Sequence, residues 1–382
     1  MPLSVTHLHA RLYTSLENLA PHAERWNALL RLSPGDTLFL TWEWLSAWNT
    51  YVAHAIPLFV VAVFDQDEQL QAFLPLYQSS LQLFKCISYK CLRPMGDCHC
   101  GAEYPDIIAA PGNLTEALTC IQGCLEKHRK KWDCLYFRYI SGTSEAVSRL
   151  ARLTGGSGAF FRRREIVFSS IALPGTIEEY NQNKLGSLYF VIRRQQKKLE
   201  QRGSLSMTLC REEQDLPSYL DNLFDLHAKR WQSVGQKGSF VRRPLMRDFY
   251  AGFAVTALRR GWLKIFSLQI DGVTLAVQIG YLYHGVFYQM QEGFDPDGPG
   301  GLGNVLRHAV INWCIANKVK EYDNLGGDEE HKLKWGAEHH TGYDLFYGAK
   351  SLKNVLLAVA DIWPTGRFIT EGPPASSGSS HD

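Results

Sequence analysis

Apolar and polar positions repeat with two different periods along this chain, and each change of period marks an element. Ile265 to Ile270 and Val273 to Tyr283 are β-rich runs on either side of Asp271-Gly272, a pair that favours a tight hairpin turn. A third run, Val286 to Glu292, follows His284-Gly285, so three antiparallel strands are predicted. Glycines and prolines from Gly293 to Gly303 then break the strand pattern. Beyond them Val305, Leu306, Ala309, Val310 and Trp313 carry the spacing of a helix over Asn304–Ala316. A further strand ends near Asp323 and leads into a charged loop.

The same order occurs earlier in the chain. Leu58–Phe64, a polar turn at Asp65–Glu68 and Gln69–Tyr77 predict a hairpin; Ile107–Ala110, a helix over Leu114–Lys131 and a strand over Cys134–Tyr139 follow. Two tandem copies of one small α/β (α+β) fold explain this order. The predicted boundaries are residues 1–165 and 166–370, with Thr154–Gly158 as linker and 371–382 as a disordered tail of serines and prolines.

Composition narrows the class. At 382 residues the chain exceeds the usual single-domain size, and 45% hydrophobic residues with 12% aromatics supply sizeable cores. A formal net charge of +2 gives no general drive toward DNA or membranes. No run approaches the roughly 18 apolar residues needed to cross a bilayer, and Met1–Ala20 carries His7, His9, Arg11 and Glu17 where a secretory signal would be apolar. The expected location is the cytoplasm. Nine cysteines, an odd number, suit a reducing compartment. Cys86, Cys91, Cys98 and Cys100 with His99 cluster, but their spacing is wrong for a zinc knuckle, and no metal is expected. Cys120, Cys124, Cys134, Cys210 and Cys314 read as small core side chains, and Trp44 and Trp48, one helical turn apart, as packing residues.

A basic segment, Tyr189–Arg202, places Arg193, Arg194, Lys197, Lys198 and Arg202 on a predicted helix. It reads either as a platform for a polyanion such as tRNA or as a solvated face over Val191, Ile192 and Leu199. The second reading is favoured, because no exposed aromatic is expected among the charges.

A strand, a glycine-rich turn and a helix in succession suit a phosphate, because a first helical turn leaves backbone N–H groups unpaired and carries partial positive charge. Gly300, Gly301 and Gly303 would let a pyrophosphate reach those amides. Rossmann and P-loop motifs are absent. Downstream, Tyr322-Asp323-Asn324-Leu325-Gly326-Gly327-Asp328-Glu329-Glu330-His331-Lys332 resembles the signature of CelD/BcsL-type acetyltransferases, GNAT-fold proteins related to the FemABX peptidyl transferases. Leu226–Trp231 with Gly235 and Phe240, Gly293–Pro296, and Phe39–Leu45 with Trp48 are similar to that family too, over about residues 35–350. Two positions depart from it. Gly-Pro-Gly stands at 298–300 where the family commonly has Ser-Pro-Gly, and His331 stands where a tyrosine usually precedes the motif lysine.

The resemblance implies two GNAT-like lobes with a channel between them and an acetyl-CoA donor. It implies CoA binding by Gln289, Gly300, Gly301, Leu302, Gly303 and Asn304. An acyl transfer also needs a proton acceptor and donors that stabilise the carbonyl oxygen. Glu292 is the first candidate for the base and Asp323 the second, while Lys332 matches the motif lysine. Tyr104 and Asp106 resemble an acceptor-side element of the family, and Arg230 and Trp231 complete that site. The acceptor expected is a small molecule or a lipid- or nucleotide-linked sugar of cell-envelope or exopolysaccharide synthesis, with peripheral contact to membrane machinery. Two other readings stand beside this one: an aminoacyl-tRNA donor, as in FemABX relatives, and a non-catalytic scaffold of a polysaccharide synthesis assembly.

Overall fold

The structure is a computed structural model that describes residues 7–155, 158–327, 329–359, 363–364 and 369–371. Residues 156–157 of the predicted linker, Asp328 of the charged loop and the tail over 372–382 lie outside the described residues. The chain forms two compact units, one from Met1–Ile166 with Thr341–Asp382 and one from Val167–His340.

The first unit begins with β1 (His9–Tyr13), α1 (Ala23–Leu32) and α2 (Trp42–Tyr51), followed by β2 (Leu58–Phe64), β3 (Leu70–Leu83) and β4 (Ile87–Pro94). After the short β5 (Ile108–Ala109) come α3 (Leu114–Lys127), β6 (Cys134–Ser141) and α4 (Glu145–Gly155). Asp65 forms the predicted turn by accepting the N–H groups of Asp67 and Gln69, which lets β2 and β3 pair antiparallel. The chain then crosses through α3, whose Ala117, Leu118, Ile121 and Leu125 are buried, and returns as β6 parallel to β4. Trp44 and Trp48 are fully buried, as their spacing predicts.

In the second unit, β7 (Gly158–Ala172) contributes its residues from Val167 onward. There follow α5 (Ile177–Glu179), a π-helical turn over Tyr180–Leu185, α6 (Ser187–Glu200), β8 (Leu205–Leu209), α7 (Leu216–Ser233), α8 (Ser239–Arg242) and α9 (Pro244–Arg259). Next come β9 (Leu263–Ile270), β10 (Val273–Tyr283), β11 (Val286–Phe294), α10 (Leu302–Ala316), β12 (Glu321–Gly326) and α11 (Glu330–Leu333). Asp271 and Gly272 have φ of 49° and 80°, and His284 and Gly285 have 46° and 86°, the left-handed pairs that tight hairpins need. The strand order is β7-β12-β11-β10-β9-β8, antiparallel throughout except for β11 and β12. Helices α6 and α10 pack on one face through Ile192, Leu199, Val305, Leu306 and Val310 against Phe266, Ala276 and Phe287. Helix α7 lies against β10 and β11, and α9 against β9.

The chain ends in β13 (Glu338–Ala349), α12 (Leu352–Val359) and β14 (Ile369–Glu371). From Thr341 onward it belongs to the first unit, where Gly342–Gly348 pair antiparallel with β6. Each unit thus holds an antiparallel pair, a crossover helix and a parallel return, the mixed α/β order expected for a GNAT-like fold.

Candidate functional site

Strands β11 and β12 share three register pairs, Val286–Glu321, Phe287–Tyr322 and Tyr288–Asp323, and among the described residues their ladder stops there. Each strand carries a disturbance at that point. On β11 the register to β10 jumps from Gly280–Gln289 to Ile279–Gln291, so Met290 is an extra residue and the strand bends. On β12, Leu325 has φ of 62° and its N–H is taken by the Asp323 carboxylate at 2.7 Å, and the pairing with β7 shifts between Asp323 and Gly326. Beyond Tyr288, then, β11 from Gln289 to Phe294 keeps its pairing with β10 but leaves the ladder with β12, and Arg230 Nη1 approaches the Glu292 carbonyl there at 3.5 Å.

Helix α10 starts just after β11 ends. Its N-cap, Gly301, is left-handed at φ 99°, and no side chain caps the first turn, so the amides of Leu302, Gly303 and Asn304 keep their donors. A Cβ at Gly301 would lie 2.6 Å from the Gln195 side chain, whereas one at Gly300 would meet nothing within 4 Å. The glycine requirement is therefore steric at Gly301, and at Gly300 it leaves open space over the helix end. Gln195 also accepts from Asn304 Nδ2 at 3.1 Å, which fixes α6 beside this terminus. The predicted binding segment 300–304 thus forms a single turn, exposed at Gly300, partly exposed at Gly301, Gly303 and Asn304, and buried at Leu302. Phe190 on α6 is 73% exposed. The sequence reading expected no exposed aromatic there; helical geometry sets Phe190 one turn before Arg193 and Arg194, on the solvent side opposite Ile192 and Leu199.

Glu292 lies on the β11 segment past the last pair with β12. It accepts from Arg230 Nη1 at 3.0 Å and from Arg307 Nη2 at 2.8 Å. Burial alone would raise its pKa, but Arg307 and then Arg230 outweigh burial and hold the carboxyl below the usual range. The cluster carries one surplus positive charge. Arg307 had no signal in the sequence, since its helical neighbours Leu306 and His308 flank it without a distinctive pattern. Opposite Glu292 on β10, the fully buried Gln278 gives its Nε2 to Tyr322 Oη at 2.6 Å, and its Oε1 has no partner.

On the α7 side, Trp231 Nε1 donates to His227 Nε2 at 3.1 Å, and Ser239 Oγ lies 3.2 Å from that nitrogen and 3.2 Å from Gln291 Oε1. Burial first, and Arg230 second, depress His227 to about 4, so the ring is neutral near pH 7. Arg230 and Trp231 are thus brought to the bend in β11, one on Glu292 and the other on the histidine. Lys332 Nζ is buried and donates to Asn324 O at 3.2 Å and Gly326 O at 2.9 Å, and pairs with Glu329 at 3.0 Å. Its three protons are spent on shaping the loop after β12. His331 is exposed, and its pKa is lowered by burial and then by Arg307.

Tyr104 and Asp106 belong to the first unit. Tyr104 is left-handed at φ 58°, and Asp106 is buried with Oδ1 accepting from Ser144 Oγ at 2.8 Å and from the N–H of Ile107 at 2.7 Å. Burial raises Asp106 to about 6 against those two hydrogen bonds. Among the described residues no group of three or more His, Cys, Asp or Glu is arranged to hold a metal ion, and no helix is long and apolar enough to cross a membrane.

Residues 189–333 match the model of an acetyltransferase (GNAT) domain. That segment begins in α6, holds the opened strand pair and the α10 terminus, and ends in α11. No curated protein matches the chain by sequence. Among solved structures, the chain is similar to FemX at 10% identity, over 89% of this chain and 98% of that one, with a TM-score of 0.59. It is similar to L-PGS from Bacillus licheniformis at 13% identity, over 88% and 96%, with a TM-score of 0.53. It is also similar to the C-terminal domain of a putative lysylphosphatidylglycerol synthetase from Agrobacterium fabrum at 13% identity, over 90% and 95%, with a TM-score of 0.51. At such identities the likeness is one of fold, here a GNAT-type acyltransferase fold.

Proposed function

We propose that this chain is a cytoplasmic acyltransferase of the CelD/BcsL type that moves an acetyl group from acetyl-CoA to an amine or hydroxyl of a sugar-containing or cell-envelope precursor. The observation that carries this reading is the opening of β11 from β12 beside the uncapped first turn of α10, inside the segment that matches a GNAT domain. The open space over Gly300 suits a diphosphate, and the amides of Gly301 to Asn304 would hold it, with Gln289 on the rim of the opening. When bound, the thioester supplies the activated acyl group.

The residues then divide the remaining work. Backbone N–H groups on the unpaired edge of β11 polarise a carbonyl there, and the surplus charge of Arg230, Glu292 and Arg307 favours the negative charge that develops on it. Glu292 serves mainly to hold the two guanidiniums, since a carboxylate so strongly stabilised is a weak proton acceptor. Asp323, at the last paired position, takes the proton of the acceptor. Lys332 keeps the backbone after Asp323 in place, and Trp231 orients His227 on the acceptor side.

Calorimetric titration of acetyl-CoA and of CoA into the wild type and a Gly300→Glu variant tests the assignment. A Cβ at this position meets nothing within 4 Å, so the variant should fold normally. It should bind roughly tenfold to a hundredfold more weakly, the range expected when charge-assisted bonds worth ~1.5–3 kcal/mol are lost. Failure of the wild type to bind either compound would remove the donor assignment. An aminoacyl-tRNA donor would then be tested, a reading that the exposed Phe190 beside Arg193, Arg194, Lys197 and Lys198 supports.

A further inference from the structure

Arg230 belongs to α7, yet the groups it holds lie on the opposite face of the sheet. Successive side chains of β11 alternate between the two faces. Gly293 faces α7, where a Cβ would lie 2.4 Å from the His227 backbone nitrogen, and Gln291 meets Ser239 of α8 on that side at 3.2 Å. Glu292 and Phe294 face α10 instead: Glu292 accepts from Arg307, and a Cβ at Gly303 would lie 3.3 Å from the Phe294 ring. Arg230 nevertheless reaches both, with Nη1 at 3.0 Å from the Glu292 carboxylate and the guanidinium 4.8 Å from the centre of the Phe294 ring. Its side chain cannot pass between β10 and β11, because Gln278–Glu292, Val277–Gly293 and Ala276–Phe294 are paired there. The remaining route runs past the β12-facing edge of β11, and Nη1 lies 3.5 Å from the Glu292 carbonyl on that route. The guanidinium therefore stands in the opening between β11 and β12.

The way it is held leaves donors unspent. Glu292 gives one carboxylate oxygen to Arg230 and the other to Arg307, whose guanidinium lies 5.4 Å from the centre of the Trp335 ring, so the carboxylate is anchored from both sides. Only Nη1 of Arg230 is engaged. Nη2 and Nε have no partner among the described residues, and the side chain is 30% exposed. A guanidinium keeps its charge and its donors form a rigid planar fork, so fixing Nη1 also fixes the direction of the others. Donors aimed in advance at a place where negative charge develops are the strongest contribution an active site makes. Lys332, by contrast, spends its protons on Asn324 O, Gly326 O and Glu329.

We propose that Arg230 is a catalytic residue of the donor site, and that its Nη2 and Nε groups donate to the carbonyl oxygen of the bound thioester. The inference rests on the acyl-CoA reading above and deepens it. In the step concerned, the acceptor's nitrogen or oxygen forms a bond to the carbonyl carbon, the π pair moves onto the oxygen beside Arg230, and the acceptor's proton passes to Asp323. The pair then returns, the carbon–sulfur bond breaks, and the thiolate of CoA leaves and takes up that proton. Backbone N–H groups bring only partial charge to such an oxygen, whereas the guanidinium brings a full one. Arg230 thus acts on the donor rather than on the acceptor.

Infrared difference spectra of acetyl-CoA carrying carbon-13 at the carbonyl, bound to the full chain, read this contact. The carbonyl band should lie lowest in the wild type, rise in Arg230→Met and fall between the two in Arg230→Lys, which keeps the charge but not the fork. With hydroxylamine as the probe acceptor, release of CoA by Arg230→Met should slow about 10²–10³-fold in kcat, the loss expected when one oxyanion donor is removed, with the KM for acetyl-CoA nearly unchanged. The band decides where hydroxylamine is not accepted, and Arg230→Lys decides where the methionine variant does not fold. A structural role alone would raise KM or lower the melting temperature of the variants without moving the band. An unmoved band in variants that still bind acetyl-CoA overturns the proposal and leaves the donor reading standing, whereas a wild type that does not bind acetyl-CoA overturns both.

Discussion

Single buried charges set the chemical character of this protein, and Asp106 shows how one can be read. Its carboxyl is raised from 3.8 to about 6, because burial against Gly35 outweighs the bonds from Ser144 and Ile107. The folded state therefore binds this proton more tightly than the unfolded chain does. The stability it contributes is complete below pH 3.8 and is lost as the pH rises through 6. A shift of about two units corresponds to ~3 kcal/mol. Asp106→Asn, neutral at every pH, should be more stable than wild type by up to about that amount at pH 7.5 and equal to it near pH 4. Urea unfolding at the two pH values measures the gap, and a gap independent of pH would show that the carboxyl titrates normally.

At the scale of elements, the contact between α7 and β11 is fixed by a missing side chain. A Cβ on Gly293 would come within 2.4 Å of the backbone nitrogen of His227, so the helix approaches the strand closely only because the residue is glycine. Gly293→Ala must push α7 away from Gln291 and Glu292. The cost should be about 1–3 kcal/mol or more, and it should free His227 from its neutral state by admitting water. Chemical denaturation together with the histidine proton resonance would register both; an unchanged midpoint would mean that α7 can shift without cost. These elements were legible in unequal measure. The hairpins could be read because Asp271-Gly272 and His284-Gly285 carry a local turn signal, and α10 because Val305, Leu306 and Val310 keep its period. The opening between β11 and β12 could not. It arises from the bulge at Met290 and the left-handed Leu325, where strand-forming residues give no warning. Arg307 escaped for the same reason: its partner Glu292 is distant along the chain, and only the packing of α10 on β11 unites them. The glycines at 300 and 301 were found, but their different roles needed the position of Gln195.

For the whole molecule, the decisive feature is that the first unit is discontinuous along the chain. Its sheet is completed by β13, which returns after residues 167–340 and pairs with β6 from Gly342 to Gly348. The returning segment is not peripheral. Tyr343, Leu345 and Tyr347 join the core formed by Leu74, Leu92, Leu118, Ile121, Leu125 and Leu135, while Phe346 packs with Tyr89 and Tyr136 on the other face. Each of these four side chains contributes about 1.5–3 kcal/mol when fully buried, so their loss removes roughly 6–12 kcal/mol, comparable with the 5–15 kcal/mol by which whole domains are stable. Residues 1–166 alone would also leave the hydrogen-bonding edge of β6 open, an invitation to pair with another chain. The fragment should therefore fail to unfold cooperatively and should aggregate. The same fragment joined through a short flexible linker to residues 341–359 should recover a cooperative transition, because the missing strand is restored without the intervening segment. Circular dichroism melts of the two fragments compare them directly. A sharp transition in the shorter one would mean that β13 is dispensable and that the first unit is complete before residue 167.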